Sequence, residues 1–68
     1  MTRLRINGVE EEVAATTVIE LLAARGVNAS ARFLAVAVNG TVIRRSEWPS
    51  RPLSPGDEIE IVRPFSGG

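Results

Sequence analysis

Two glycines, Gly67 and Gly68, stand last in the sequence, behind the residues "RPFS". Glycine has no Cβ, accepts almost any φ/ψ and lets a main chain approach a ligand closely. A tail ending in two of them can thread into a narrow site and present its terminal carboxylate. A carboxylate is a poor electrophile, so the chemistry available there is acyl transfer after activation, as by acylation of AMP from ATP. Such a tail needs reach, and a segment that leaves the last element without packing of its own has it. Ser66 belongs to this tail. Phe65, an aromatic placed just before the glycines, has the character of an interface anchor; the competing reading folds it back on the sheet edge.

The remaining residues offer little rival chemistry. The sequence has no histidine and no cysteine, and all eight basic residues are arginine. These omissions remove the commonest general base and metal ligand, thiol catalysis, disulfides and a Schiff-base lysine. Ser30, Ser46, Ser54, Ser66 and Asp57 lack a histidine or lysine partner, and Asp57 fits a turn better than a catalytic site. The carboxylates form no spaced cluster for a metal. The expectation is a protein that is not an enzyme and holds no cofactor. A formal net charge of +0 argues against a nucleic-acid or membrane-surface binder. No apolar run approaches the ~20 residues of a membrane span, and "MTRLRING" lacks the apolar stretch of a signal peptide, so a cytoplasmic location is expected.

The elements that must position the tail are legible from period and punctuation. "RLRI" alternates as a half-buried strand, Asn7-Gly8 signals a hairpin, and "VEEEV" returns. Glu11 falls between Val9 and Val13, which a bulge or an early wet end of the strand would reconcile. The three glutamates fit a solvated hairpin edge, with an arginine-bearing partner as the alternative. Thr17 and Glu20 make a capping box ahead of a short helix with Val18, Leu21 and Leu22 in one stripe, closed by Arg25 and Gly26. "VNASARF" reads as a loop. A second hairpin turns at Asn39-Gly40, with Leu34, Val36 and Val38 on the core face and Ala35 and Ala37 on the open face. The two alanines leave a flat surface able to admit a partner, or are simply tolerated there. "SEWPSRPL" is irregular, with a single turn capped by Ser46 and Trp48 closing one end of the core, the alternative for Trp48 being an anchor for a partner. Pro55-Gly56-Asp57 then turns into a last strand with Ile59 and Ile61 inward.

The expected core is Leu4, Ile6, Val13, Val18, Leu22, Val36, Val38, Leu53, Ile59 and Ile61. First and last strands that both bury apolar residues under one helix can pair in parallel at the sheet centre, with the helix as crossover. The predicted fold is α+β of the β-grasp kind: a mixed sheet of four to five strands with one helix on one face. Residues 1–64 form the domain and 65–68 a flexible tail.

The run "LAVAVNGTVIRRSEW" followed by "LSPGDEIEIVRPFSGG" resembles the ThiS family, the ubiquitin-like sulfur carriers of thiamine biosynthesis, and the similarity extends from "RING" to the diglycine. The resemblance implies that Gly68 is adenylated by a ubiquitin-activating-like enzyme that uses ATP. Sulfur from a persulfide donor, such as a cysteine desulfurase, then replaces AMP, and the resulting thiocarboxylate donates sulfur to thiazole synthase. On the residues themselves, the partner surface is expected on the open sheet face around Ala35 and Ala37, with Phe65 and the tail, Ser66 and Gly67 included, entering the activating enzyme.

Other readings share parts of this pattern. The small subunit of molybdopterin synthase has the same fold and tail, but tends to be longer and richer in proline before the diglycine; here Pro64 stands alone. A sulfur carrier of another pathway would show the same chemistry with a different acceptor. A β-grasp protein modifier or binding module would use Gly68 for an isopeptide bond, or for nothing.

Overall fold

The computed structural model describes residues 1–63. In chain order these form β1 (Thr2–Ile6), β2 (Val9–Val13), α1 (Val18–Ala24), β3 (Ala35–Val38), β4 (Thr41–Ile43), a 3-10 turn at Arg45–Glu47 and β5 (Glu58–Val62). One five-stranded sheet runs in the order β2-β1-β5-β3-β4. β1 and β5 pair in parallel at its centre, and the other neighbours are antiparallel. Helix α1 lies within the crossover between the β1–β2 hairpin and the rest, as a parallel central pair requires. This is the expected β-grasp order.

Both hairpins turn on Asn-Gly. Asn7 and Asn39 have φ of 49° and 53°, and the glycines that follow have 85° and 84°. Positive φ at both central residues gives the turn whose twist matches a two-residue hairpin. β1 and β2 pair without interruption from Thr2↔Val13 to Ile6↔Val9. The bulge entertained at Glu11 is therefore absent. Glu11 stays in register opposite buried Leu4, on the helix side, and its two carboxylate oxygens accept hydrogen bonds from Arg25 at 3.0 and 2.9 Å. A charge stands on the apolar face because the helix end brings a guanidinium to it. The wet end of the strand is Val9, which is exposed.

A seven-residue helix cannot persist alone, and its ends are closed by neighbouring segments. Three N–H groups at its start find acceptors outside the helix ladder. Val18 donates to the Arg51 carbonyl, Ile19 to the Trp48 carbonyl and Glu20 to Thr17 Oγ1. The reciprocal half of the capping box is shifted by one residue. Glu20 Oε1 accepts from the N–H and hydroxyl of Thr16, not from the Thr17 N–H. At the other end Gly26 N–H donates to Ala23 and Val27 N–H to Leu22, a Schellman closure that leaves Val27 buried.

The core holds Leu4, Ile6, Val18, Leu22, Val36, Val38, Ile59 and Ile61 as expected, together with Ala15, Leu21, Val27, Leu34, Ile43 and Trp48. Val13 and Leu53 are only half-buried at its rim. Val13 ends an edge strand. Leu53 lies in an irregular segment tied by its N–H to the Thr16 carbonyl. Trp48 is 2% exposed and donates Nε1–H to the Ile43 carbonyl at 3.0 Å, closing the core as its position suggested. Ser46 does not cap the turn there: it lies inside the 3-10 segment, whose N-cap is Arg44 with no side-chain bond. No helix among the described residues is long and apolar enough to cross a membrane.

Candidate functional site: the exit strand and the open sheet face

The strand that leads to the C-terminal glycines is β5, and it is fastened at both ends by an asparagine borrowed from a hairpin turn. At its start Asn39 Oδ1 accepts from the Glu58 N–H at 2.9 Å, while Asn39 Nδ2 donates to Asp57 Oδ1 at 3.0 Å. The other oxygen of Asp57 accepts from the Ser54 N–H at 2.9 Å, closing the Ser54–Asp57 turn. Gly56 has φ 88° there, the value a proline-glycine type II turn demands. Asp57 is thus a turn residue.

At the far end the parallel ladder with β1 stops at Ile6↔Ile59, because β1 turns away. The Asn7 N–H still reaches the Ile59 carbonyl at 2.9 Å. Its carboxamide then takes over. Oδ1 accepts from the Ile61 N–H at 2.9 Å, and Nδ2 donates to the Ile61 carbonyl at 3.3 Å. Asn7 does the work of one more residue of strand. On the other flank β3 pairs with β5 up to Ala35↔Val62. β5 is therefore held on both edges almost to the last described residue.

The face of the sheet away from the helix has two halves. Ala35 and Ala37 lie on it, half-buried, opposite Val62 and Glu60 respectively. Ala37 also faces Val42 across β4. Val42 is 71% exposed and Val62 56%. These four small apolar side chains make one half. The other half is charged. Arg5 stands opposite both Glu10 and Glu58, and Arg3 Nε lies 2.9 Å from Glu10 Oε1 and its guanidinium 4.0 Å from Glu12. An open depression of about 610 Å³ runs along β5 between the two Asn-Gly turns. A flat apolar strip beside paired charges suits docking of another protein surface, not enclosure of a small molecule.

The structure brings Ala35 and Ala37 together on this face. Phe65, Ser66, Gly67 and Gly68 lie outside the described residues, as does the boundary placed between residues 64 and 65. Val42, Val62 and the clamp from Asn7 escaped the sequence reading. A signal for the valines existed: strand period puts Val62 with Glu58 and Glu60, and Val42 opposite in sense to Ile43. No sequence signal announces that a turn asparagine also binds a strand 54 residues away. Among the described residues there is no group of three histidine, cysteine, aspartate or glutamate side chains able to hold a metal.

The family model described as ThiS family matches residues 4–68. The crystal structure of a thiamine biosynthesis protein (ThiS) from Geobacter metallireducens is similar, with a TM-score of 0.79 and 31% identity over 98% of this chain and 100% of that one. The solution structure of a thiamine biosynthesis protein from the same organism gives a TM-score of 0.79 and 30% identity over 98% of this chain and 88% of that one. No curated protein gives a significant match. With nearly the whole chain inside the family model, and a β-grasp body that superimposes on such relatives, this chain belongs to the ThiS family.

Proposed function

We propose that this protein is a sulfur carrier for thiazole formation in thiamine biosynthesis, with the Gly68 carboxylate as the group that carries sulfur. The observation that carries this reading is the family match through the terminal diglycine, joined to a last strand clamped on both edges directly before the tail. The function needs a rigid body and a narrow, glycine-ended tail whose carboxylate another protein can activate.

Chemically, a carboxylate oxygen of Gly68 attacks the α-phosphorus of ATP inside a ubiquitin-activating-like adenylyltransferase, and pyrophosphate leaves. The terminal sulfur of a persulfide, supplied by a donor such as a cysteine desulfurase, attacks the acyl carbon and AMP leaves. A second thiol cuts the S–S bond of that acyl disulfide, and the C-terminal thiocarboxylate departs while a disulfide forms. Thiazole synthase then takes the sulfur. The chain contributes no catalytic side chain and no bound cofactor to these steps; ATP belongs to the activating enzyme. Its own contribution is position. Reacting atoms must meet at roughly 3–3.5 Å, so the distance from the clamped strand to the carboxylate is part of the mechanism. The Ala35, Ala37, Val42 and Val62 strip is the docking surface, and Phe65, Ser66 and Gly67 enter the activating enzyme ahead of Gly68.

The test is intact-mass spectrometry after incubation with ATP, an activating enzyme and a sulfur source. A carrier gains the mass of one sulfur-for-oxygen exchange at its C-terminus. A protein modifier would instead appear joined to other proteins, and a plain binding module would be unchanged.

A further inference from the structure

Phe33 is the one aromatic side chain of the loop between α1 and β3, and it stands in the left-handed region at φ 63° while 79% exposed. That conformation crowds the Cβ of any L-residue against its own carbonyl and is rare for a bulky one. The fold gets no buried ring in return. Backbone strain kept beside an exposed aromatic points to recognition, since neither feature serves the core.

The loop is also held firmly where it could have been slack. Asn28 Oδ1 accepts from the Ser30 N–H at 2.9 Å, and the Ala31 N–H donates to the Asn28 carbonyl at 3.0 Å. Arg45 reaches across from the 3-10 turn and donates to the carbonyls of Ala29 and Ala31. Its guanidinium lies 4.7 Å over the ring of buried Trp48, so the clamp is footed in the core. The Arg32 guanidinium sits 5.9 Å from the Phe33 ring centroid.

The position matters as much as the posture. Phe33 precedes by two residues Ala35, the strand partner of Val62. Chain order therefore puts it at the end of the sheet where β5 finishes. The segments that end or begin there carry Arg32, Arg44 and Arg63, whereas Asp57 and Glu58 belong to the opposite end of β5.

We infer that Phe33 is an aromatic recognition anchor, carried on a loop that Arg45 fastens at the end of the sheet where β5 finishes, for the enzyme that adenylates the terminal carboxylate. This rests on the carrier reading above. The complementary surface is an apolar slot rimmed by carboxylates at the mouth of the channel that takes the tail. The activating enzyme is the occupant because it is the first to receive the free carboxylate and must find the tail's base before the tail can thread. The acceptor synthase is the alternative occupant.

The test uses the full chain with the activating enzyme of the same organism and compares the parent with Phe33→Gly and Phe33→Ala. Carrier-dependent ATP–pyrophosphate exchange gives KM and kcat, and a thermal melt gives stability. Both variants should raise the KM for the carrier at least about tenfold while kcat changes little. Glycine relieves the strain, so Phe33→Gly should melt above the parent, whereas Phe33→Ala keeps the Cβ and should melt close to it. Unchanged KM in both variants overturns the proposal, as does a melt that falls sharply in both, which would make Phe33 part of the body. Normal KM with a defect confined to sulfur transfer assigns the residue to the acceptor and also overturns it. A parent that is never adenylated refutes the carrier reading and this inference with it; a parent adenylated normally beside equally competent variants refutes this inference alone.

Discussion

The carboxamide of Asn7 pairs with both main-chain groups of Ile61, accepting from its N–H at 2.9 Å and donating to its carbonyl at 3.3 Å. One residue thus supplies the positive φ of a hairpin turn and the last rung of a parallel ladder. Asn7→Gly separates the two roles, because glycine keeps the turn and loses the amide. The Ile61 amide should then exchange with solvent at least about tenfold faster, and stability should fall by about 1–3 kcal/mol for the two lost bonds. Hydrogen exchange by NMR checks this; full protection of Ile61 in the variant would show that the clamp holds nothing.

The parts of this fold written in local pattern were legible in the sequence. Asn-Gly turns, the Thr17–Glu20 cap, the Ile59/Ile61 alternation and the parallel central pair follow from φ preference, period and crossover geometry. What was not legible depends on side chains meeting across long separations. Glu11 looked like a defect in its strand until Arg25 arrived from the helix end. Asn7 looked like a turn residue alone, and Phe33 like one more loop position. The open face was legible at Ala35 and Ala37, while its exposed valines required the register of β3 with β4 and β5.

Leu22 is fully buried where α1 meets the sheet. Leu22→Ala should cost about 2–5 kcal/mol, a large share of the stability of a domain this small. A urea melt losing under about 0.5 kcal/mol would mean that this helix face does not form the core.

Glu20 accepts from the Thr16 N–H and hydroxyl, and these bonds hold its carboxyl below the ordinary glutamate range. A group whose pKa is depressed on folding binds protons more readily in the unfolded chain. Its stabilising effect is therefore complete above the unfolded value, about 4.3, and disappears as pH falls through the folded one. Glu20→Gln keeps an acceptor and removes the titration. The stability gap between parent and variant should narrow as urea melts are taken from pH 7 toward pH 3. A gap independent of pH would assign the effect to packing alone.

Ala37 sits between Val42 and Glu60 on the open face. Ala37→Arg places a long cation in the apolar strip without touching the core. Stability should change by no more than about 0.5 kcal/mol, while affinity for the activating enzyme should drop by about tenfold or more. Undiminished binding in a calorimetric titration would move the docking surface elsewhere.

The most direct measurement concerns the position of the carboxylate itself. Each residue of extended chain shifts the end by about 3.3–3.6 Å, more than a productive attack geometry tolerates. Intact mass after incubation with ATP, activating enzyme and sulfur donor should be compared for the parent, a chain lacking Gly68 and a chain with one alanine added after it. Thiocarboxylate is expected on the parent alone, with the same melting curve for all three. Full loading of the alanine-extended chain would contradict it, and the two glycines would then be an ordinary loose end.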